Sequence, residues 1–312
     1  MPSLASRMMP PLLTALGYRR RFASAQATAE LVAARKLRPR PYGPPRLLPR
    51  GVRVSVDDDG GWPLYEVVPS AAAPRGQILY IHGGAWISQI SLPHWQLVAE
   101  LATATGSRML VPIYPLPPRG TAGTVVPRIA DLLRRLVAEH GAEQVSVVGD
   151  SAGGQIALSA ALLLSEEHVA LAHTVLIAPA LDLSLSNPAI DALEPAGAWL
   201  VRPGLRAAVD LWRDGLALDD PIISPLFGEL SGLGPLAVFA GTRDITHPDC
   251  ELLVAKARAA GVPVEFHEAP GMVHVYPLLP IPEGRRARRA MARLLRGEPE
   301  ISASAQGSPP AR

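Results

Sequence analysis

Three residues with catalytic potential follow one another along the chain in the order serine, aspartate, histidine. Ser151 lies in Gly149-Asp150-Ser151-Ala152-Gly153, between an apolar stretch and a helical one, while Asp244 and His274 each follow a later apolar stretch. A serine hydroxyl becomes a nucleophile when a histidine takes its proton, and that histidine needs a carboxylate to orient it. We therefore predict a catalytic triad of Ser151, Asp244 and His274.

The other acids and histidines have poorer positions relative to the predicted strands and helices. Five residues are set aside because they lie too near Asp244, within a strand, before a strand or at a helix start: His247, His267, Asp219, Asp220 and Asp249. We interpret His82 as structural. The remaining histidines are interpreted as surface or packing residues: His94, His140, His168 and His173.

A second motif, His82-Gly83-Gly84-Ala85-Trp86, follows the predicted strand Gln77–Ile81. Acyl transfer passes through a tetrahedral oxyanion, which must be met by backbone N–H donors that are already in place. Glycine lets the backbone turn its amides toward such a site. We predict an oxyanion hole formed by Gly83, Gly84 and Ala152. The candidates for the substrate pocket are Trp86, Asp150, Trp199 and Trp212.

The elements that must position these residues alternate between strand and helix. Val52–Val56 and Trp62–Val68 predict an antiparallel pair around an Asp59-Gly60-Gly61 turn. The later strands are nearly continuous apolar runs, as expected when helices cover both faces of a sheet: Gln77–Ile81, Arg108–Tyr114, Gln144–Val148, Thr174–Ala178, Pro235–Ala240 and Pro263–His267. The triad residues then fall at the carboxyl ends of strands, where active sites of open parallel sheets form.

Helices are predicted between most of these strands and after the last one: Pro93–Thr105, Val125–Glu139, Ala152–Glu167, Asp249–Ala260 and Gly284–Leu295. The sequence thus predicts an α/β fold with a mostly parallel sheet of about eight strands. Residues 1–50 form a helical arm with a Pro-rich connector, and residues 51–296 form the catalytic domain. A lid insertion is expected at about residues 185–220, and residues 297–312 are expected to be disordered.

Composition narrows the class of protein. Of 312 residues, 48% are hydrophobic and 19% are charged, which indicates a globular chain with a large core. The net charge of +2 gives no reason to expect nucleic-acid binding. A single cysteine excludes an internal disulfide and a cysteine metal cluster. No run reaches the ~20 apolar residues of a membrane span. We expect a cytoplasmic protein whose first helix packs over its own active site or contacts a lipid surface.

Five motifs together resemble the hormone-sensitive-lipase-like branch of α/β hydrolases, which includes bacterial carboxylesterases: His82-Gly83-Gly84-Ala85, Gly149–Gly154, Asp220–Leu226, Gly241–Asp244 and Gly271–His274. The resemblance implies the α/β-hydrolase fold with a helical cap. It also implies a serine carboxylesterase that hydrolyses short- to medium-chain acyl esters without a metal or organic cofactor.

Two departures widen the choice of substrate. Ala85 replaces the usual third glycine, and Tyr114-Pro115-Leu116-Pro117-Pro118 replaces the Tyr-Arg-Leu-Ala-Pro-Glu of many members. The His-Gly-Gly-x-Trp form is similar to arylformamidases, so hydrolysis of small N-acyl amides stays an alternative. A ligand-binding protein on the same scaffold is a further alternative, although His274 argues against it. The sequence also leaves open whether the chain forms a homodimer.

Overall fold

The computed structural model describes residues 2–46, 48, 51–71 and 73–298. The tail expected to be disordered lies outside the described residues, except for Gly297 and Glu298. Within the described residues, no helix is long and apolar enough to cross a membrane.

The centre of the fold is an eight-stranded sheet in the order β1-β2-β4-β3-β5-β6-β7-β8. β1 pairs with β2 and β2 with β4 in antiparallel fashion, and every other pair is parallel. The predicted mostly parallel sheet of about eight strands is thereby confirmed. The strands are β1 Val52–Asp59, β2 Trp62–Pro69, β3 Gln77–Ile81, β4 Arg108–Pro112, β5 Val145–Asp150, β6 His173–Ile177, β7 Leu236–Gly241 and β8 Val264–Ala269.

Helices connect these strands and cover both faces of the sheet. They are α1 Leu4–Ala15, α2 Ala25–Leu37, α3 Leu92–Thr105, α4 Ala122–His140, α5 Ala152–Glu166, α6 Ile190–Leu193, α7 Arg202–Arg213, α8 His247–Ala259 and α9 Pro282–Leu295. Short 3₁₀ turns occur at Arg19–Phe22, Ala142–Gln144, Glu194–Ala196, Pro225–Phe227 and Tyr276–Leu278. The predicted helices are present, with ends that differ by up to three residues.

The strands supply alternate side chains to two cores. Leu79 and Ile81 of β3 belong to the core that α4, α5 and α8 cover, whereas Ile78 and Tyr80 belong to the core under α3 and α9. Since successive side chains of a strand point to opposite faces, an unbroken apolar run is what a doubly covered strand requires. The apolar pattern of the sequence therefore reflects burial on both sides.

The N-terminal segment is packed against the rest of the chain. α2 lies along α7 of the region expected to form a lid, and the Phe22 side chain is buried in the core shared with α5. Gly204 permits this approach, because a Cβ there would lie 2.4 Å from the Phe22 Cα. α2 and α7 thus pack together, with α7 residues next to Ser151, whereas α1 contacts α9.

Candidate active site

Ser151 occupies the sharp turn between β5 and α5. Its backbone angles, φ 53° and ψ −119°, lie in a region that residues other than glycine rarely adopt. The turn closes tightly on its neighbours, since a Cβ at Gly153 would lie 2.1 Å from the carbonyl oxygen of Ile81. Ser151 also donates its backbone N–H to the carbonyl of Ile177 at 2.8 Å. The turn therefore holds the Ser151 side chain at the carboxyl edge of the sheet.

Ser151, Asp244 and His274 meet at this edge. His274 Nε2 lies 2.9 Å from Ser151 Oγ, and His274 Nδ1 lies 2.6 Å from Asp244 Oδ2. Asp244 follows β7, and His274 lies in the loop after β8. Asp244 is 2% and His274 4% exposed, so little water competes for these hydrogen bonds. This arrangement can move a proton from the serine hydroxyl to the imidazole.

A threonine that the sequence analysis did not identify holds Asp244 in place. Thr246 donates its backbone N–H to Asp244 Oδ1 at 3.2 Å and its hydroxyl to Oδ2 at 2.9 Å. The carboxylate therefore accepts three hydrogen bonds when the donor from His274 is included. A threonine two residues after the aspartate is a visible sequence signal for such a local bond.

The loop after β3 differs in detail from the expected oxyanion hole. Gly83 donates its N–H to Asp150 Oδ1 at 3.0 Å, so this amide already has an acceptor. Glycine is needed here, because a Cβ would lie 2.3 Å from Asp150 Oδ2. Within the described part of the chain, no acceptor is found for the amides of Gly84, Ala85 and Ala152. Ala85, at φ 51°, bends the chain where many members of the resembled branch have glycine.

Asp150 lies beneath this loop and does not line the cavity beside Ser151, where a pocket role was expected. It accepts hydrogen bonds from the Tyr80 hydroxyl at 2.6 Å and from Gly83, and His94 Nε2 lies 3.3 Å away. Burial alone would raise the pKa of Asp150, but His94 and these donors hold the pKa below its usual range. Asp150 is therefore a buried carboxylate that fixes the loop.

His94, interpreted from sequence as a surface or packing residue, is instead tied to this carboxylate. The backbone N–H of Ser91 at the start of α3 donates to His94 Nδ1 at 3.0 Å. The proton of the ring is then carried by Nε2, the atom that faces Asp150. The sequence signal was weak, because a histidine in the first turn of a helix usually contacts solvent.

His82 is structural, in agreement with the interpretation from sequence. Burial lowers its pKa to about 4, so the ring is neutral near neutral pH. It stacks on Tyr114 with the ring centroids 4.4 Å apart, and the Tyr114 hydroxyl donates to the His82 carbonyl at 2.8 Å. His82 Nδ1 lies 2.8 Å from the carbonyl of Gly83. These contacts fix the start of the glycine loop.

The cavity beside Ser151 is small, at about 30 Å³. Its wall is mostly apolar and includes Trp86, together with Leu205 and Val209 of α7 and leucines of the segment after β6. Trp212 lies behind Trp86, stacked with the ring centroids 6.0 Å apart, and is fully buried. Both indoles donate to Gln155 Oε1 at 3.0 Å. Gln155, which the sequence analysis missed, thus fixes the rear wall.

Trp199 lies on the other side of the triad. Its ring meets that of His274 edge-on, with the centroids 5.9 Å apart, and packs against Tyr18 of the N-terminal segment at 4.7 Å. Of the four candidate pocket residues, Trp86 lines the cavity beside Ser151, and Trp199 borders the histidine. Trp212 supports the wall from behind.

Two carboxyl groups also line the cavity. Asp249, interpreted from sequence as a helix cap, accepts a hydrogen bond from Asn187 Nδ2 at 2.7 Å. Burial raises the pKa of Asp249, the Asn187 hydrogen bond lowers it and the nearby Asp182 raises it, and together these effects place it at about 6. The sequence gave no signal that Asp182 and Asp249 lie close together, because Asp182 belongs to the segment after β6 and Asp249 to α8.

A histidine and two glutamates, His247, Glu251 and Glu268, have ligand atoms within 4.8 Å of one another, a cluster for which the sequence gave no expectation. None of the three lines the cavity beside Ser151. His247 Nε2 lies 2.8 Å from Glu268 and Nδ1 3.6 Å from Glu251. The hydrogen bond between His247 and Glu268 explains why these side chains lie together.

The chain matches known proteins over most of its length. A family model described as alpha/beta hydrolase fold matches residues 78–278. A triacylglycerol lipase from Mycobacterium tuberculosis is 37% identical over 241 residues, which cover 76% of this chain and 50% of the lipase. An acetyl-hydrolase from Streptomyces hygroscopicus is 32% identical, over 70% of this chain and 75% of that protein. The chain thus spans only about half of the lipase.

A solved structure has the same architecture. The crystal structure of EstE7, a homologue of hormone-sensitive lipase from a metagenome library, superimposes with a TM-score of 0.80. The two chains are 25% identical, and the superposition covers 95% of this chain and 99% of that one. The similarity therefore extends to the N-terminal and lid helices as well as to the sheet.

Proposed function

The chain belongs to the alpha/beta-hydrolase family, in the hormone-sensitive-lipase-like branch of carboxylic ester hydrolases, and on this premise we propose that it is a serine esterase. Its nucleophile is Ser151, and its substrates are short- to medium-chain acyl esters. The observation that carries the proposal is the continuous hydrogen-bonded series Ser151–His274–Asp244, with atoms 2.9 and 2.6 Å apart.

In the first half of the reaction, Ser151 Oγ attacks the carbonyl carbon of the ester while His274 Nε2 takes the serine proton. Asp244 accepts from Nδ1, which keeps the ring oriented and stabilises the imidazolium. The tetrahedral intermediate collapses with cleavage of the bond to the alcohol oxygen. The departing alcohol receives the proton from His274, and the acyl group stays on Ser151.

In the second half, a water molecule replaces the alcohol. His274 takes a proton from the water as the water oxygen attacks the acyl carbon, and a second tetrahedral intermediate forms. That intermediate releases the carboxylic acid when the bond to Ser151 Oγ breaks and Oγ recovers its proton. Thr246 contributes by fixing Asp244, so the ring returns to the same orientation in each cycle.

The amides of Gly84, Ala85 and Ala152 are the proposed donors to the oxyanion. Ala152 begins α5, where the backbone N–H groups lack partners and the helix dipole favours negative charge. Gly83, a donor in the prediction from sequence, is assigned a positioning role because its N–H holds the loop on Asp150. The donors are therefore in place before the substrate arrives, as efficient stabilisation requires.

The size of the cavity favours a short acyl group. The cavity measures only about 30 Å³, and Trp86 and Trp212 are held by Gln155 at its rear. The similar protein named acetyl-hydrolase agrees with this choice. The triacylglycerol lipase shows that related chains also act on lipid esters.

The alternatives from sequence receive less support. Trp86, the basis for an amide or formamide substrate, points its N–H at Gln155 and away from any role in recognising a formyl group. A purely ligand-binding role would not require a serine hydroxyl hydrogen-bonded to an oriented imidazole. A cytoplasmic location and a homodimer stay predictions.

The test is a series of p-nitrophenyl esters of increasing acyl length, together with N-formyl-kynurenine. We expect the highest kcat/KM for acetate or butyrate and a fall of at least about a thousandfold in Ser151→Ala. Ser186→Ala, at an exposed serine of the lid region, is the control and should retain wild-type turnover. Wild-type turnover in Ser151→Ala would refute the mechanism. Faster cleavage of N-formyl-kynurenine than of the esters would identify amides as the substrate class.

A further inference from the structure

The first helix carries an apolar stripe that no part of the described structure covers. Leu4, Met8, Leu12 and Leu16 are 78%, 59%, 47% and 58% exposed. Their four-residue spacing places them on one side of α1, opposite the buried Ser6, Pro10 and Leu13. Single exposed leucines are common, but four in register form a continuous surface that favours an apolar contact.

The same segment holds much of the positive charge of the chain. Residues 1–50, the arm, contain ten of the 30 Lys and Arg residues but only one of the 28 Asp and Glu residues, Glu30. The arm therefore has a formal charge of +9 and the remainder a charge of −7. The net charge of +2, which gave no reason to expect a polyanionic partner, hides this asymmetry.

The positive charges of the arm are not neutralised by the fold. In the part of the chain that the structure describes, no Arg or Lys of the arm forms a salt bridge. Arg7 lies within α1 beside the stripe, and Arg20 is exposed just beyond the helix. Burial, followed by repulsion from Arg40 and Arg21, lowers the pKa of Arg35 to about 10. The arm therefore presents apolar side chains next to cations that have no carboxylate partner among the described residues.

We propose that the arm docks on an anionic lipid bilayer, with the α1 stripe inserted at the level of the head groups. An apolar helix face with cations along its border is the pattern of helices that lie in the membrane interface. Anionic head groups would attract the exposed arginines of the arm. A second copy of the chain is a poorer occupant of the stripe, because two arms of +9 would have to meet.

This contact would place the active site at the lipid surface. Arg19, in the turn after α1, donates to the carbonyls of Glu194 and Gly197, next to Trp199. Trp199 in turn connects Tyr18 of the arm to His274. We infer that the substrates include esters dissolved in the bilayer, an inference that rests on the proposed esterase function.

Vesicle binding tests the docking without reference to catalysis. The Ser151→Ala protein is sedimented with vesicles of phosphatidylcholine alone and with vesicles that also contain phosphatidylglycerol. We expect strong binding only to the anionic vesicles, weakened by salt. The stripe variant Leu4→Ser/Met8→Ser/Leu12→Ser should bind at least tenfold more weakly. Its matched control is Leu92→Ser/Leu211→Ser/Leu252→Ser, at apolar side chains of similar exposure on three helices of the body, and should bind like the parent.

The role of charge has its own pair of variants. Arg7→Gln/Arg20→Gln should lower binding to the anionic vesicles about tenfold, whereas Arg258→Gln/Arg289→Gln, at exposed arginines of α8 and α9, should not change it. Equal binding by the stripe variant and its parent would overturn the proposal. The proposal would also be overturned if the protein did not bind vesicles. In one such outcome the stripe joins two copies of the chain, and the stripe variant converts a dimer into a monomer.

Hydrolysis then separates this inference from the proposed function. With Ser151 intact, the stripe variant should cleave p-nitrophenyl acetate in water at the wild-type rate but tributyrin in anionic vesicles at least tenfold more slowly. If the wild type cleaved neither ester, the esterase function would be refuted. The vesicle binding of Ser151→Ala would still test the docking by itself. Equal cleavage of tributyrin by both proteins would overturn the inference about the substrate.

Discussion

The catalytic body and the N-terminal arm treat charge and apolar surface in opposite ways. In the body, ionised groups near the reaction are buried and partnered: Asp150 is held by Tyr80, Gly83 and His94, and Asp244 by Thr246 and His274. In the arm, no described Arg or Lys forms a salt bridge, and leucines face outward. A buried charge is tolerated only with partners, because desolvation is costly, whereas exposed groups need none.

The difference shows that the two regions are built for different contacts. The body fixes donors and acceptors with little freedom, so that stabilisation of a transition state costs no reorganisation. The arm keeps a surface whose partner lies outside the chain. Substitutions of the buried, hydrogen-bonded residues around the active site should therefore change chemistry or stability strongly, while substitutions on the α1 stripe should change neither.

Apart from removal of the Ser151 hydroxyl itself, the largest effect is expected from Gly83→Ala. The added Cβ would lie 2.3 Å from Asp150 Oδ2, so the glycine loop must shift and the oxyanion donors lose their alignment. We expect kcat/KM for p-nitrophenyl acetate to fall by about a hundredfold or more. Gly123→Ala is the matched control, because a Cβ at that position in α4 meets no atom within 4 Å. Similar activities of the two variants would contradict the assigned role of the loop.

Asp249→Asn should stabilise the protein at higher pH. The folded-state pKa of Asp249, about 6, lies above the ordinary value of 3.8, so the folded protein holds a proton that the unfolded chain releases. The contribution of Asp249 to stability therefore falls as pH rises from 3.8 to about 6. The variant should gain up to about 3 kcal/mol at about pH 8 and little at about pH 4.

Urea unfolding of both proteins across this range is the measurement. His82 titrates in the opposite sense, because its folded-state pKa of about 4 lies below the ordinary value of 6.5. Its contribution to stability is lost as pH falls, and the two opposed slopes partly cancel in the wild type. The difference between variant and wild type isolates Asp249. A difference that does not depend on pH would show that Asp249 does not titrate in this way.

The smallest effect is expected for the stripe. Leu4→Ser/Met8→Ser/Leu12→Ser should change the free energy of unfolding by less than about 1 kcal/mol, because these side chains are already exposed. Leu13→Ala, at a buried position of the same helix, should cost about 2 kcal/mol. Thermal or urea unfolding distinguishes them. A stripe variant as destabilised as Leu13→Ala would mean that the stripe is packed in solution.

Much of the fold could be predicted because its signals are local. An apolar run such as Gln77–Ile81 followed by glycines predicts a buried strand and its end, and both are found. Strand β4 was predicted two residues too long, since Ile113 and Tyr114 are apolar like a strand but leave the ladder after Pro112. The predicted start of α4 is three residues late, because Thr121 caps the helix and only the small Ala122 precedes Val125 as an apolar signal in the first turn.

The sequence by itself determined the order of the chemistry: which serine lies in a strand-to-helix turn, and that an acid and a histidine follow later strands. Only the tertiary structure decided what surrounds them. Asp150 became the anchor of the glycine loop, Gln155 the support of two tryptophans, and Asp249 a wall of the cavity. Each of these roles depends on contacts between residues distant in sequence, and periodicity along one segment carries no information about which distant segment packs against it.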